Sequence, residues 1–234
     1  MQTSLSLFRP SAAIFDIDGT IVDNMLWHAR AFDAFVTRHG LPPMTLEVRR
    51  KTDGKRNREI FPMLFGREMT IEEIRAFEEE KEGMYRELSR AGLEPMKGLT
   101  RLLDRLDAHG ILVGLATSAP AANVEHTLRE IGLADRLRVV ARGDQVKHGK
   151  PAPDVFLHAA GLLSVAPDRC LAFEDAPLGI ASARNAGMRC VALTSTFSAE
   201  ALLASTPPPD AAYADFEAFL EGEGEWLGRE GLTA

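Results

Sequence analysis

Five short apolar runs, at residues 12–15, 111–115, 137–141, 170–173 and 190–193, constrain this chain more than any other feature. Each is hydrophobic almost without interruption. That suits a strand covered on both faces, as in a parallel sheet, and not one with a wet side. Segments with helical spacing lie between them. Leu99, Leu102, Leu103 and Leu106 recur at three and four residues, and Gly110 then supplies a stop. Residues 123–131, 154–161 and 177–187 read the same way. This alternation predicts a doubly wound, Rossmann-like α/β domain around a parallel sheet. With 234 residues, 45% of them hydrophobic, the chain can bury one large core and a smaller second one.

One stretch breaks the pattern. Residues 24–92 contain no convincing strand. Met25, Ala29, Phe32 and Val36 share a helix face that ends at Gly40, and Thr70 with Glu73 forms a capping box flanked by Met69 and Ile74 as a hydrophobic staple. So long a connection is too large for a loop in a compact domain, so a helical unit inserted after the first strand is expected. We place the core at residues 1–22 and 94–234 and the helical cap at 23–93, with hinges at Asp23–Asn24 and at 92–95. Ligands of open α/β sheets bind at the carboxyl ends of the strands, so this insert emerges beside the expected site.

Those strand ends carry the chemistry. The first runs into Asp16-Ile17-Asp18-Gly19-Thr20, two carboxylates separated by one residue at a tight turn. Carboxylates so close repel unless a cation sits between them, and Mg²⁺ prefers one or two carboxylates plus water and phosphate oxygens. The second leads to the hydroxyls of Thr117 and Ser118 ahead of a helix N-terminus, a natural phosphate site. After the third comes Lys150, before a proline-stiffened helix start, and after the fourth the acidic pair Glu174-Asp175. Taken singly, these features also read as a strand-ending turn, an N-cap, a surface lysine and a helix cap. Together they put acids, hydroxyls and a lysine on one sheet edge.

In the segments DIDGT, ATS, GKPAPD and FEDAPLGI, in that order, the chain resembles the haloacid dehalogenase superfamily of phosphotransferases. The nearest subgroup is that of β-phosphoglucomutase and the sugar-phosphate phosphatases, which carries an inserted helical cap. The resemblance implies Asp16 as the nucleophile that becomes an aspartyl-phosphate and Asp18 as general acid and base. It implies Mg²⁺ held by Asp16, the Asp18 backbone carbonyl and Asp175, with Glu174 near the coordination shell. Thr117, Ser118 and Lys150 would hold the phosphoryl oxygens.

Specificity is expected in the cap. The loop holding Gly54, Lys55, Arg56 and Asn57 resembles the segment that reaches over the site in related enzymes, and these four are the candidate substrate contacts. Arg49 and Arg50 are assigned to the surface, and His28 to a partly buried structural role. The stretch Ser118-Ala119-Pro120-Ala121-Ala122 lacks the cation that grips a phosphate in many sugar-phosphate members, which favours a phosphatase over a mutase. The expected substrate is a small phosphorylated metabolite such as a sugar phosphate, with phosphoglucomutase and pyrophosphatase activities as alternatives. A net charge of −7 argues against nucleic-acid or membrane-surface partners. No apolar run approaches membrane-spanning length, and Cys170 and Cys190 each open an apolar run as expected of buried reduced thiols. A cytoplasmic enzyme, monomeric or weakly dimeric, is expected.

Overall fold

The computed structural model describes Leu5 and residues 8–223. Its sheet has six parallel strands: β1 (Ala12–Phe15), β2 (Leu112–Thr117), β3 (Val140–Arg142), β4 (Cys170–Glu174), β5 (Arg189–Leu193) and β6 (Ala211–Tyr213). They stand in the order β3-β2-β1-β4-β5-β6. The apolar runs form strands between two covered sheet faces, except that the third does so only at its end, residues 137–139 lying ahead of β3. Successive side chains point to opposite faces. Ala13 and Phe15 join one buried cluster, with Leu102, Leu103, Leu106, Phe216 and Phe219. Ala12 and Ile14 join another, with Phe156, Ile180 and Leu202. On the first face lie α5 (Leu99–Ala108), α6 (Ala121–Glu130) and α10 (Phe216–Glu223). The second face carries α7 (Asp154–Leu162), α8 (Pro177–Asn185) and α9 (Ala199–Leu203). Phe15 stacks on Phe173 at 4.7 Å, with Phe216 edge-on to both, which fixes β1 against β4 just below the strand ends. Cys170 and Cys190 are buried free thiols on the second face.

Four helices lie between β1 and α5: α1 (Met25–Arg38), α2 (Leu46–Thr52), α3 (Asn57–Phe65) and α4 (Ile71–Leu88). They bury their own cluster, Phe32, Phe35, Val36, Ile60 and Phe61, with Phe65 and Phe77 packed on Phe35. The capping box forms: Thr70 Oγ1 accepts from Glu73 N at 3.2 Å, and Glu73 Oε2 accepts from Thr70 N at 2.9 Å. Met69 and Ile74 both pack against the cap cluster, as a staple requires. The outgoing and returning chain segments run side by side, with Met96 N donating to Ile21 O at 2.8 Å. The helices α2, α3 and α9 went unread in the sequence, as did β6 and α10. β6 is three residues long, too short to show alternation, and α10 follows it directly.

Candidate active site

The strand order explains the site. β1 lies between β2 and β4, so the residues at the carboxyl ends of these three strands are neighbours across the sheet edge. Asp16 follows β1 directly and stays tied to the sheet through its N–H, which donates to Phe173 O at 3.0 Å. Lys150 reaches in from the segment after β3. Its Nζ lies 2.7 Å from Asp16 Oδ1 and 2.7 Å from Glu174 Oε1, and the residue is only 4% exposed. The other Glu174 oxygen, Oε2, accepts from the N–H groups of Asp175 and Ala176 at 2.9 and 3.1 Å. Asp175 is held by the hydroxyls of Thr20, at 3.5 Å, and Thr196.

Asp16, Glu174 and Asp175 bring carboxylate oxygens within 4.8 Å of one another, all buried. Three carboxylates against one ammonium leave two negative charges uncompensated in a low-dielectric site. The carboxyl groups respond accordingly. Burial pushes Asp16 up to about 7; Lys150 opposes the rise, while Glu174 and Asp18 reinforce it. Burial, Glu174 and Asp16 raise Asp175 well above the usual carboxylate range. Burial alone would lower Lys150, but Asp16 and Glu174 outweigh it and hold the ammonium charged. A hard divalent cation fits this all-oxygen donor set and its excess charge. Both oxygens of Glu174, both of Asp175 and Oδ1 of Asp16 already accept hydrogen bonds within the site.

Two glycines make room for these acids. A Cβ on Gly19, whose φ is +77°, would sit 2.1 Å from Asp175 Oδ2. On Gly179 it would sit 1.7 Å from Glu174 Oε1. Gly179 lies inside α8, where alanine ordinarily stabilises a helix by about 1 kcal/mol over glycine. The clash outweighs that gain, so Gly179→Ala is expected to destabilise the protein by about 1–3 kcal/mol. Thermal unfolding beside wild type is the check, and a raised melting temperature would show that Glu174 moves aside freely.

Asp18 points away from the acidic cluster and toward the cap. Asn24 Nδ2 donates to Asp18 Oδ1 at 2.6 Å, and Asn24 Oδ1 accepts from Gly19 N at 3.1 Å. Asn24 precedes α1 but makes no side-chain cap; it is turned back to hold the loop. His28 Nε2 lies 3.4 Å from Asp18 Oδ1, an ion-pair distance without hydrogen-bond geometry. Burial would raise Asp18, but His28 and Asn24 outweigh it and hold the carboxyl below its ordinary value. His28 stacks on Tyr85 at 3.9 Å, and its Nδ1 is 3.1 Å from Lys81 Nζ. Lys81 pairs with Glu82 at 2.9 Å, and Glu82 also accepts from Asn57 at 2.7 Å and from Asn123 of α6 at 2.6 Å.

A cavity of about 220 Å³ opens between the cap and these strand ends. Asp16, Asp18, Thr117, Ser118, Lys150 and Asp175 line it from the core, and Gly54, Lys55 and Asn57 line it from the cap. Thr117 Oγ1 accepts from Ala119 N at 3.0 Å, and Ser118 Oγ donates to Gly54 O at 2.9 Å, so one hydroxyl shapes its own turn and the other meets the cap.

Three expectations change. Arg56 does not line the cavity; its guanidinium is buried against Glu59 and the core segment that follows β3. Arg49, expected at the surface, does line it and pairs with Asp33 at 2.5 Å, because the turn of α2 carries Arg49 inward. His28, expected as a structural histidine, stands in the cavity wall beside Asp18. Lys81 and Glu82 were not expected near the site, and Asn24, expected only as a hinge residue, holds Asp18.

Comparison with known proteins gives the family. Residues 13–193 match the family model described as "Haloacid dehalogenase-like hydrolase". Among curated relatives, protein CbbY of Rhodobacter capsulatus is 33% identical over 196 residues, covering 80% of this chain and 86% of that protein. The phosphorylated carbohydrates phosphatase of Thermotoga maritima is 31% identical, covering 76% and 82% respectively. Among solved structures, a HAD hydrolase of family IA, variant 3, from Entamoeba histolytica superposes with a TM-score of 0.82 at 26% identity, covering 93% of this chain and 99% of that one. The chain belongs to the haloacid dehalogenase-like hydrolases.

Proposed function

We propose that the protein is a phosphatase that hydrolyses a small phosphorylated metabolite, a sugar monophosphate in the first instance, through covalent transfer of the phosphoryl group to Asp16. The observation that carries this reading is the buried Asp16–Lys150–Glu174 bridge, with its two 2.7 Å contacts and Asp175 alongside. Mg²⁺ fits this site, with Asp16 and Asp175 as side-chain donors, and would offset the charge of the phosphate oxygens. Asp16 attacks phosphorus; the new Asp16–phosphorus bond forms as the bond to the substrate oxygen breaks. Asp18 protonates the leaving oxygen. It then takes a proton from the water that attacks the same phosphorus and releases Asp16, so the two steps together are proton-neutral. His28 and Asn24 hold the Asp18 carboxyl in place between the two steps. Thr117, Ser118 and Lys150 position and neutralise the phosphoryl oxygens. The unit at 23–93 acts as a cap that excludes water from the core at 1–22 and 94–234.

Charge placement in the cavity supports a phosphatase over a mutase, which must grip a second phosphate. Arg49 is paired with Asp33 and Lys81 with Glu82, and Ala121 and Ala122 supply no cation, which leaves Lys55 as the one lysine or arginine of the cap that lines the cavity without a carboxylate pair among the described residues. The name of the Thermotoga relative, a phosphatase of phosphorylated carbohydrates, supports the sugar class. No helix among the described residues is long and apolar enough to cross a membrane, which fits work on a soluble metabolite in the cytoplasm.

Phosphate release from sugar phosphates, phosphoglycolate and pyrophosphate, with Mg²⁺ and with a chelator, tests the reading. Release from a sugar monophosphate that stops on chelation is expected. Conversion of β-glucose 1-phosphate to glucose 6-phosphate without phosphate release would replace it with the mutase.

A further inference from the structure

The cap loop touches the core at several points, and one contact stands apart. Arg56 immediately precedes α3 and is only 7% exposed, where the cap meets the core segment that follows β3. Its Nη1 donates to Gly143 O at 3.1 Å and approaches Val146 O at 3.5 Å. Glu59 holds the other side of the guanidinium, at 2.6 Å from Nη2 and 3.2 Å from Nε, and its second oxygen accepts from Arg56 N at 3.1 Å. The side chain lies flat on glycines. A Cβ on Gly149 would sit 2.6 Å from Arg56 Nε, and one on Gly143 would sit 3.0 Å from Arg56 Cδ. Neither glycine has a positive φ, so contact with Arg56, not backbone strain, is what calls for glycine there. Gly149 immediately precedes Lys150, whose ammonium bridges Asp16 and Glu174. Arg58 Nη2 adds a bond to Lys147 O at 2.7 Å on the same core segment.

We propose that Arg56 is a positioning residue: when the cap is docked, it clamps the 143–149 segment and so places Lys150 against Asp16. This rests on the phosphoryl-transfer reading above, and it gives Arg56 no contact with the substrate. The guanidinium suits this role because its rigid fork holds Glu59 through Nε and Nη2 while Nη1 reaches Gly143 O, a fixed planar geometry that the point charge of an ammonium does not reproduce. Docking of the cap and completion of the Lys150 bridge thereby become one event. A site with its cap displaced lacks a fixed lysine and transfers phosphoryl groups poorly, even where substrate can enter.

The test combines steady-state kinetics with hydrogen exchange of the 143–150 segment, for wild type, Arg56→Ala, Arg56→Lys, Gly149→Ala and the double variant Arg56→Ala/Gly149→Ala. Misplacing a catalytic group by about 1 Å can cost about 100-fold, so Arg56→Ala is expected to lower kcat by about 10- to 100-fold. KM should move by less than about threefold, since no substrate contact is lost. Exchange in 143–150 should quicken, and Arg56→Lys should recover little of either effect. Gly149→Ala alone should be impaired through its clash with Arg56. The double variant should then be no worse than Arg56→Ala, the non-additivity expected of residues in contact. A raised KM with kcat kept would overturn the proposal in favour of a substrate contact. Unchanged exchange and kcat with a lowered melting temperature would reduce Arg56 to a structural role, and additive losses would remove the Gly149 contact from the account. If wild type released no phosphate from any monoester, the phosphatase reading would fall, and the exchange data would still decide the clamp.

Discussion

Asp16→Asn is expected to abolish phosphate release, by about 10⁴- to 10⁶-fold, the scale seen when a covalent nucleophile is removed. The amide oxygen can still accept from Lys150, so the site keeps its shape while losing the atom that attacks phosphorus. Stability should not suffer. Burial and the neighbouring carboxylates push Asp16 up to about 7, so the fold disfavours its ionised form. A neutral amide relieves the crowding among Asp16, Glu174 and Asp175. In the absence of Mg²⁺ the melting temperature of the variant should therefore hold or rise. Phosphate release and thermal melting measured side by side check both halves. Activity retained within tenfold of wild type would remove Asp16 from the mechanism.

Lys150→Ala is the second large effect, and its sign in stability is the opposite. The ammonium is the only cation within hydrogen-bonding distance of Asp16 and Glu174 among the described residues. Without it three buried carboxylates face one another, and removing one partner of a buried pair costs about 3–5 kcal/mol. The melting temperature without metal should fall sharply. Mg²⁺ should restore part of it, because a ligand that binds only the folded state stabilises by mass action. Activity should fall by about 10²- to 10³-fold even at saturating Mg²⁺, as for the loss of one preorganised charge-stabilising group. An unchanged melting curve in chelator would mean that Lys150 does not neutralise the cluster.

The core was legible in the sequence because its strands are buried on both faces and so read as unbroken apolar runs; their ends then located Asp16, Thr117, Lys150 and the Glu174-Asp175 pair. The cap side was less legible, for a physical reason. Its polar residues are specified by tertiary partners that local pattern does not show. Lys81 sits in the run Glu78 to Glu82, which reads as a solvated helix face, yet it is 2% exposed. A signal was there: Ile74, Phe77, Lys81 and Tyr85 follow three- and four-residue spacing, which puts Lys81 on the apolar stripe of α4. Leu46, Arg49 and Asp53 share a face in the same way, which could have separated Arg49 in the cavity wall from Arg50 outside it. Asn24 gave no such signal. An asparagine before a helix reads as an N-cap, and only the fold shows its side chain turned back to Asp18. Arg56 was misread because a basic loop residue over an anionic substrate is the simplest expectation; the glycines at 143 and 149 that receive it are distant in sequence.

Covalent transfer through Asp16 is the central claim, and the stereochemistry at phosphorus tests it most directly. Each in-line displacement inverts phosphorus once. Hydrolysis of an isotopically chiral thiophosphate monoester in labelled water should therefore return thiophosphate with overall retention, from attack by Asp16 followed by attack by water. Overall inversion would mean a single direct attack by water and would contradict the account.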